Sequence, residues 1–132
     1  MKNSIKFSLI FILLISVTCL FGQESAGVVV KNIVISTSVE DRQPLGVDTV
    51  FAVDTQKLYC YTQLSSDTDS SSIAHVWFFN DKQMAKIELN MRAKTWRTWS
   101  SKNIMPAWKG DWRVEVQTSK GDVIAQKFFK IQ

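Results

Sequence analysis

The sequence predicts a single small all-β domain, an immunoglobulin-like β-sandwich of about seven strands, following an N-terminal export signal. Three observations carry this expectation. Short runs rich in Val, Ile, Phe, Tyr and Trp recur along the chain, several of them alternate apolar and polar residues with period two, and polar turn residues separate them at fairly even intervals. No stretch of the expected domain reads convincingly as a helix.

The chain begins with targeting chemistry. Lys2 and Lys6 precede an apolar run from Phe7 to Val17, which is short against the ~20 residues of a membrane span and has the length of a signal-peptide core. Cleavage is expected after Gly22, leaving residues 23–27 as a linker and residues 28–132 as the sandwich. Lys6 and Ser8 interrupt the run and argue against a retained anchor. Lipidation at Cys19 fits poorly, because Thr18 and Ser16 stand where a small residue and a leucine are usual. The formal charge of +4 falls to +2 once Lys2 and Lys6 leave, so there is no electrostatic case for a nucleic-acid partner, which asks for a clustered basic face. The expected location is secreted or periplasmic, with membrane attachment only through the signal or a lipidated Cys19.

Each strand has its own pattern. Val28 to Thr37 is strongly β-branched. "KLYCYTQL" sets Leu58, Cys60 and Thr62 against Tyr59, Tyr61 and Gln63. "SIAHVWFFN" sets His75, Trp77 and Phe79 against Val76 and Phe78, two apolar faces that predict a central strand covered on both sides. "NDKQ" is turn chemistry, after which Ile87, Leu89 and Met91 return at period two. In "KTWRTWSS", Trp96, Thr98 and Ser100 share one face and Arg97 and Trp99 the other. "DWRVEVQT" alternates most regularly, with Trp112, Val114, Val116 and Thr118 inward, and "SKGD" closes a hairpin onto the last strand, Val123 to Ile131. Between Ser38 and Gln56 the apolar Leu45, Val47, Val50, Phe51 and Val53 are expected to cover one end of the core. Ser65 to Ser72 reads as a polar surface loop.

Chemistry-bearing constellations are sparse. His75 is the only histidine, so no histidine cluster for a metal is available, and its position in an apolar strand predicts a hydrogen-bonded structural role. Cys60 is the only cysteine left after cleavage, which excludes an intrachain disulfide and predicts a buried thiol. A Cys60–His75 hydrolase pair is conceivable but lacks a third, orienting residue. Asp67, Asp69 and Ser71 have the first spacing of a calcium loop, but Ser72 and Phe78 stand where it needs glycine and glutamate. No cofactor or metal is expected. Arg42, in "EDRQPLG", reads as part of a charged turn. Trp77 and Trp112 lie in phase with core positions, which leaves Trp99, Arg97, Lys102 and Trp108 as the ligand-binding candidates: flat rings with cations beside them suit stacking on a sugar or a peptide. Since Trp96 and Trp99 point to opposite faces, at most one of them is expected to meet a ligand.

The stretches "VEDRQPLG", "KLYCYTQL", "HVWFFND", "WRTWSSKNIMPAWKGDWRVEV" and "FFKI" resemble a bacterial domain-of-unknown-function family, number 2914 (DUF2914), over roughly Ile35 to Ile131. Arg42, Trp96, Arg97, Trp99, Ser100, Lys102, Trp108, Trp112 and Arg113 match its polar and aromatic positions, whereas the serine-aspartate loop departs from it. The resemblance implies a β-sandwich outside the cytoplasmic membrane and supplies no activity or catalytic residues. The expected function is a non-catalytic binding domain for an envelope glycan or protein, with a structural domain pairing to another envelope protein as the alternative.

Overall fold

The computed structural model describes residues 27–132; the expected export signal, its expected cleavage point and Cys19 lie outside them. Ten strands follow in order: β1 (Val29–Ser36), β2 (Ser38–Glu40), β3 (Gln43–Leu45), β4 (Val50–Phe51), β5 (Lys57–Ser65), β6 (Ser71–Phe79), β7 (Lys82–Met91), β8 (Thr95–Asn103), β9 (Gly110–Thr118) and β10 (Val123–Ile131). The seven long ones are those the sequence predicts. The three short ones, with a 3-10 turn at Val53–Thr55, fill the segment between β1 and β5.

Two sheets make the sandwich. One has the order β1-β5-β8, the other β4-β10-β9-β6-β7, and β2 and β3 form a separate hairpin. The pairings are antiparallel except for the short β4–β10 contact. β6–β7 and β9–β10 are hairpins within one sheet, while the β5–β6, β7–β8 and β8–β9 connections cross between sheets, an immunoglobulin-like arrangement. Ile35, Leu58 and Cys60 from one sheet meet Trp77, Trp112, Val114 and Phe129 from the other in the main core. A second cluster, including Leu64, Ile73, Met91 and Val116, fills the opposite end. Trp112 stacks on Phe129, and Trp77 meets the same ring edge-on.

Turn residues fix the register. Asn80 and Asp81 both have positive φ, 46° and 65°, and link Phe79 to its partner Lys82, as in a two-residue hairpin of type I′. Asp41 and Arg42 do the same for β2–β3, with φ of 49° and 61°.

Three details differ from expectation. β6 lies between β9 and β7, but among the described residues no third layer covers its outer face. Ala74 and Val76 are buried there beside long side chains of the flanking strands: Glu88 and Gln117 pair with Ala74, Lys86 and Glu115 with Val76, and such stems cover apolar surface efficiently. Of the five apolar residues expected to close the core, Phe51 is buried and Val53 packs against the main cluster, while Leu45, Val47 and Val50 are exposed. The polar loop is shorter than its sequence suggests, because Ser71 and Ser72 already belong to β6.

Candidate functional site

Among the described residues, β8 is hydrogen-bonded only to β5, and β7 only to β6. The free edges of these strands lie side by side where the two sheets meet, and a shallow groove runs between them. Glu88, Asn90, Trp96, Arg97 and Trp99 line it, with Arg92 where β7 hands over to β8. The groove continues into a second hollow that shares Trp96 and Arg97 and adds Asp41 and Arg42 from the β2–β3 turn.

A buried hydroxyl helps to hold the hairpin there, together with backbone hydrogen bonds from Thr37 and Asp48. Tyr61, on the outer face of β5, is almost inaccessible, and its O–H donates to the Arg42 carbonyl at 2.9 Å. Trp99, the cross-strand partner of Tyr61, stacks on it with ring centroids 6.1 Å apart and planes inclined by 17°. Trp96 points the other way and packs against the second core cluster. Both rings are half-buried and both border the groove. Strand alternation does separate Trp96 from Trp99, as the sequence predicts, but on an edge strand the side chains of both faces reach the space beyond the edge. Both rings thus border the same groove, although strand alternation separates them.

The four-residue patch expected from the sequence divides in two. Arg97 and Trp99 line the groove. Lys102 is directed elsewhere: its ammonium lies 4.8 Å from the centre of the Trp108 ring. Trp108 is half-buried against the main core and its carbonyl accepts the indole N–H of Trp112 at 3.0 Å, so the loop position did not leave it free. Arg92, Glu88 and Asn90 escaped sequence reasoning, because nothing in a single strand's pattern tells which other strand will lie beside its edge.

His75 and Cys60 are both in the interior. Burial pushes the Cys60 thiol far up from its ordinary value, and the hydrogen-bond partners of His75 are Thr62 and Ser100 instead of Cys60. The donors can be assigned in sequence. Trp77 Nε1–H donates to Ser100 Oγ at 3.1 Å and Thr62 O–H to the Thr98 carbonyl at 3.1 Å. The Thr62 oxygen must then accept from His75 Nε2–H, at 3.2 Å, and Ser100 O–H donates to the bare Nδ1 at 2.7 Å. His75 is thus the neutral Nε2–H tautomer, and burial lowers its pKa to about 4. The Ser100–His75 contact has the spacing of a nucleophile and its base, but Ser100 is 5 % exposed and His75 fully enclosed. A chain of bonds that joins β5, β6 and β8 across the sandwich uses every polar atom it contains; among the described residues no buried side-chain nitrogen or oxygen lacks a partner.

A separate hollow lies on the outer face of the five-stranded sheet, among Phe78, Asn80, Asp81, Asp111, Arg113 and Phe128. Its guanidinium is already engaged. Arg113 lies 4.0 Å from the centre of the Phe78 ring and pairs with Asp81 and with Glu115, the latter at 3.1 Å. No group of three or more His, Cys, Asp or Glu residues able to hold a metal occurs among the described residues.

Comparison with known proteins supports the fold more than any activity. No curated protein matches the sequence. Among solved structures, a β-glucosidase from Erythrobacter marinus superposes with a TM-score of 0.52 at 4% identity, over 80% of this chain and 15% of that one. A GH3 β-glucosidase from Bifidobacterium adolescentis gives 0.46 and 8% over 81% and 17%, and a β-glucosidase from Listeria innocua 0.44 and 12% over 76% and 16%. This chain therefore spans only about a sixth of those proteins, and at such identities the likeness concerns the fold alone. The family described as "Protein of unknown function (DUF2914)" matches residues 70–131, which leaves "VEDRQPLG" and "KLYCYTQL" upstream of the matched part. From the start of β6 to the end of β10, the chain is similar to the DUF2914 family, which supports the resemblance read from the sequence.

Proposed function

We propose that this is a non-catalytic binding domain of the bacterial envelope and that its ligand is a glycan, held in the groove between β7 and β8. The observation that carries this reading is that Trp96 and Trp99 border one groove together with Arg97, Glu88 and Asn90. Indole rings offer flat apolar contact to the C–H faces of sugar rings at low entropic cost. The amide, carboxylate and guanidinium around them can pair with hydroxyl groups. Trp99 is also held in place by Tyr61, and a preformed platform avoids the cost of ordering on binding. The apolar segment Phe7–Val17 supports export to the compartment where such glycans occur.

The test is a titration of the full chain with soluble peptidoglycan glycan strands, followed by tryptophan fluorescence. Saturable binding is expected, weakened about tenfold or more in Trp99→Ala, the size typical of a truncated aromatic anchor. Arg97→Ala should weaken it without changing the melting temperature, because Arg97 is exposed. An absence of saturable binding, or unchanged affinity in both variants, overturns the proposal. The alternative, a protein partner adding a strand to the sheet, is favoured by one observation: β8 has a free edge beside the same groove. In that case a partner co-purifies with the full chain and glycan binding is absent.

A further inference from the structure

The arginines of this chain are not scattered as its lysines are. Arg42, Arg92, Arg97 and Arg113 are all it has. Arg113 is neutralised by Asp81 and Glu115. The other three come from distant parts of the sequence, a turn, the link after β7 and the middle of β8: Arg92 and Arg97 line the groove, and Arg42 and Arg97 the adjoining hollow, both beside Trp96. Among the described residues none of the three makes an ion pair, although Glu88 lines the groove and Asp41 the adjoining hollow. Guanidinium groups left without carboxylate partners are suited to receive one, since their planar fork matches a carboxylate in bidentate geometry.

Arg42 adds an independent indication. Its φ of 61° is left-handed, where a side chain costs stability and glycine or asparagine is favoured. The β2–β3 turn would be served better by glycine, so the guanidinium is not explained by the turn.

Resting on the glycan reading, we infer that the sugar bound in this groove is acidic, and that Arg42, Arg92 and Arg97 receive its carboxylate while Trp96 and Trp99 take the rings. The charge balance favours a carboxylate over a phosphate. Three guanidinium groups against Asp41 and Glu88 leave one positive charge, which matches a singly charged group, whereas a dianionic phosphate would also face the two acidic side chains.

The experiment uses the full chain and two disaccharides that differ by one lactyl group: N-acetylglucosaminyl-N-acetylmuramic acid and N,N′-diacetylchitobiose (chitobiose below). N-Acetylglucosamine 6-phosphate forms a third arm. The acidic disaccharide is expected to bind about tenfold tighter than chitobiose, the scale of one charge-assisted contact, and its advantage should shrink as salt rises. Arg97→Ala and Arg42→Gly should abolish the preference, and Arg42→Gly should do so with a melting temperature equal to or above that of the wild type. Equal affinity for both disaccharides overturns the acidic-sugar assignment and leaves the glycan reading standing. Binding to neither overturns both. Tighter binding of the phosphorylated sugar than of the acidic disaccharide overturns the choice of carboxylate. A preference that survives both arginine substitutions removes the assigned residues.

Discussion

His75 illustrates how the sandwich treats a titratable group it cannot expose. In the unfolded chain its imidazole takes up a proton near 6.5; in the fold it does so only near 4. Between those values the unfolded state binds the extra proton, so the stabilising contribution of neutral His75 is complete above pH 6.5 and is lost as pH falls toward 4. A displacement of that size corresponds to about 3 kcal/mol. Because the chain has one histidine, its imidazole signals in an NMR titration need no assignment by mutation. They should stay constant from pH 8 to 5.5, and the urea midpoint should fall between pH 6.5 and 4.5. A titration midpoint near 6.5 overturns this account. Cys60 gives a parallel test, since a buried, undissociated thiol is a poor nucleophile. A thiol reagent should label the native protein at position 60 far more slowly than the urea-unfolded chain; comparable rates would mean that the sandwich opens readily.

At the scale of elements, period-two alternation made the long strands and their inward faces legible. The inward set Trp112, Val114, Val116 and Thr118 is buried as read, and Asn80 and Asp81 of "NDKQ" form the β6–β7 turn, while Lys82 and Gln83 already belong to β7. What one strand's pattern does not contain is its neighbour. Trp96 and Trp99 meet at one groove because β8 is an edge, and Arg42 joins them because Tyr61 pins a hairpin laid over β5. Both facts are relations between segments far apart in sequence, settled by tertiary packing. The same reason explains Trp108, whose loop sequence gave no sign that its ring packs on the main core. The turn itself offers a measurable consequence. Asn80 is in a left-handed conformation that asparagine tolerates and alanine does not, at a cost of roughly 1–2 kcal/mol. Asn80→Ala should therefore lower the unfolding free energy by about that amount, while Asn80→Gly should leave it nearly unchanged; equal effects of the two substitutions would rule out backbone strain as the cause.

Considered as a whole, the molecule is larger than the part its family match covers. Residues 70–131 contain β6 to β10 but not β1 or β5. β5 is the only strand hydrogen-bonded to β8, so within the matched segment β8 has no sheet to join. The main core loses Ile35, Leu58 and Cys60, and the buried network loses the Thr62 hydroxyl that accepts from His75. The inner faces of β6, β9 and β10 would then expose Trp77, Trp112, Val114 and Phe129 to water. Truncating even one such large core residue to alanine costs about 3–5 kcal/mol, comparable to the full stability of a small domain. Residues 70–131 expressed alone should accordingly lack a cooperative thermal transition and dispersed amide signals, whereas residues 27–132 should show both. Adding residues 27–69 as a separate chain should restore the transition, because that segment supplies β1 and β5. A cooperative unfolding transition in the isolated 70–131 segment would show that the sheet formed by β7, β6, β9 and β10 is an autonomous unit and that β1 and β5 serve the groove instead of the fold.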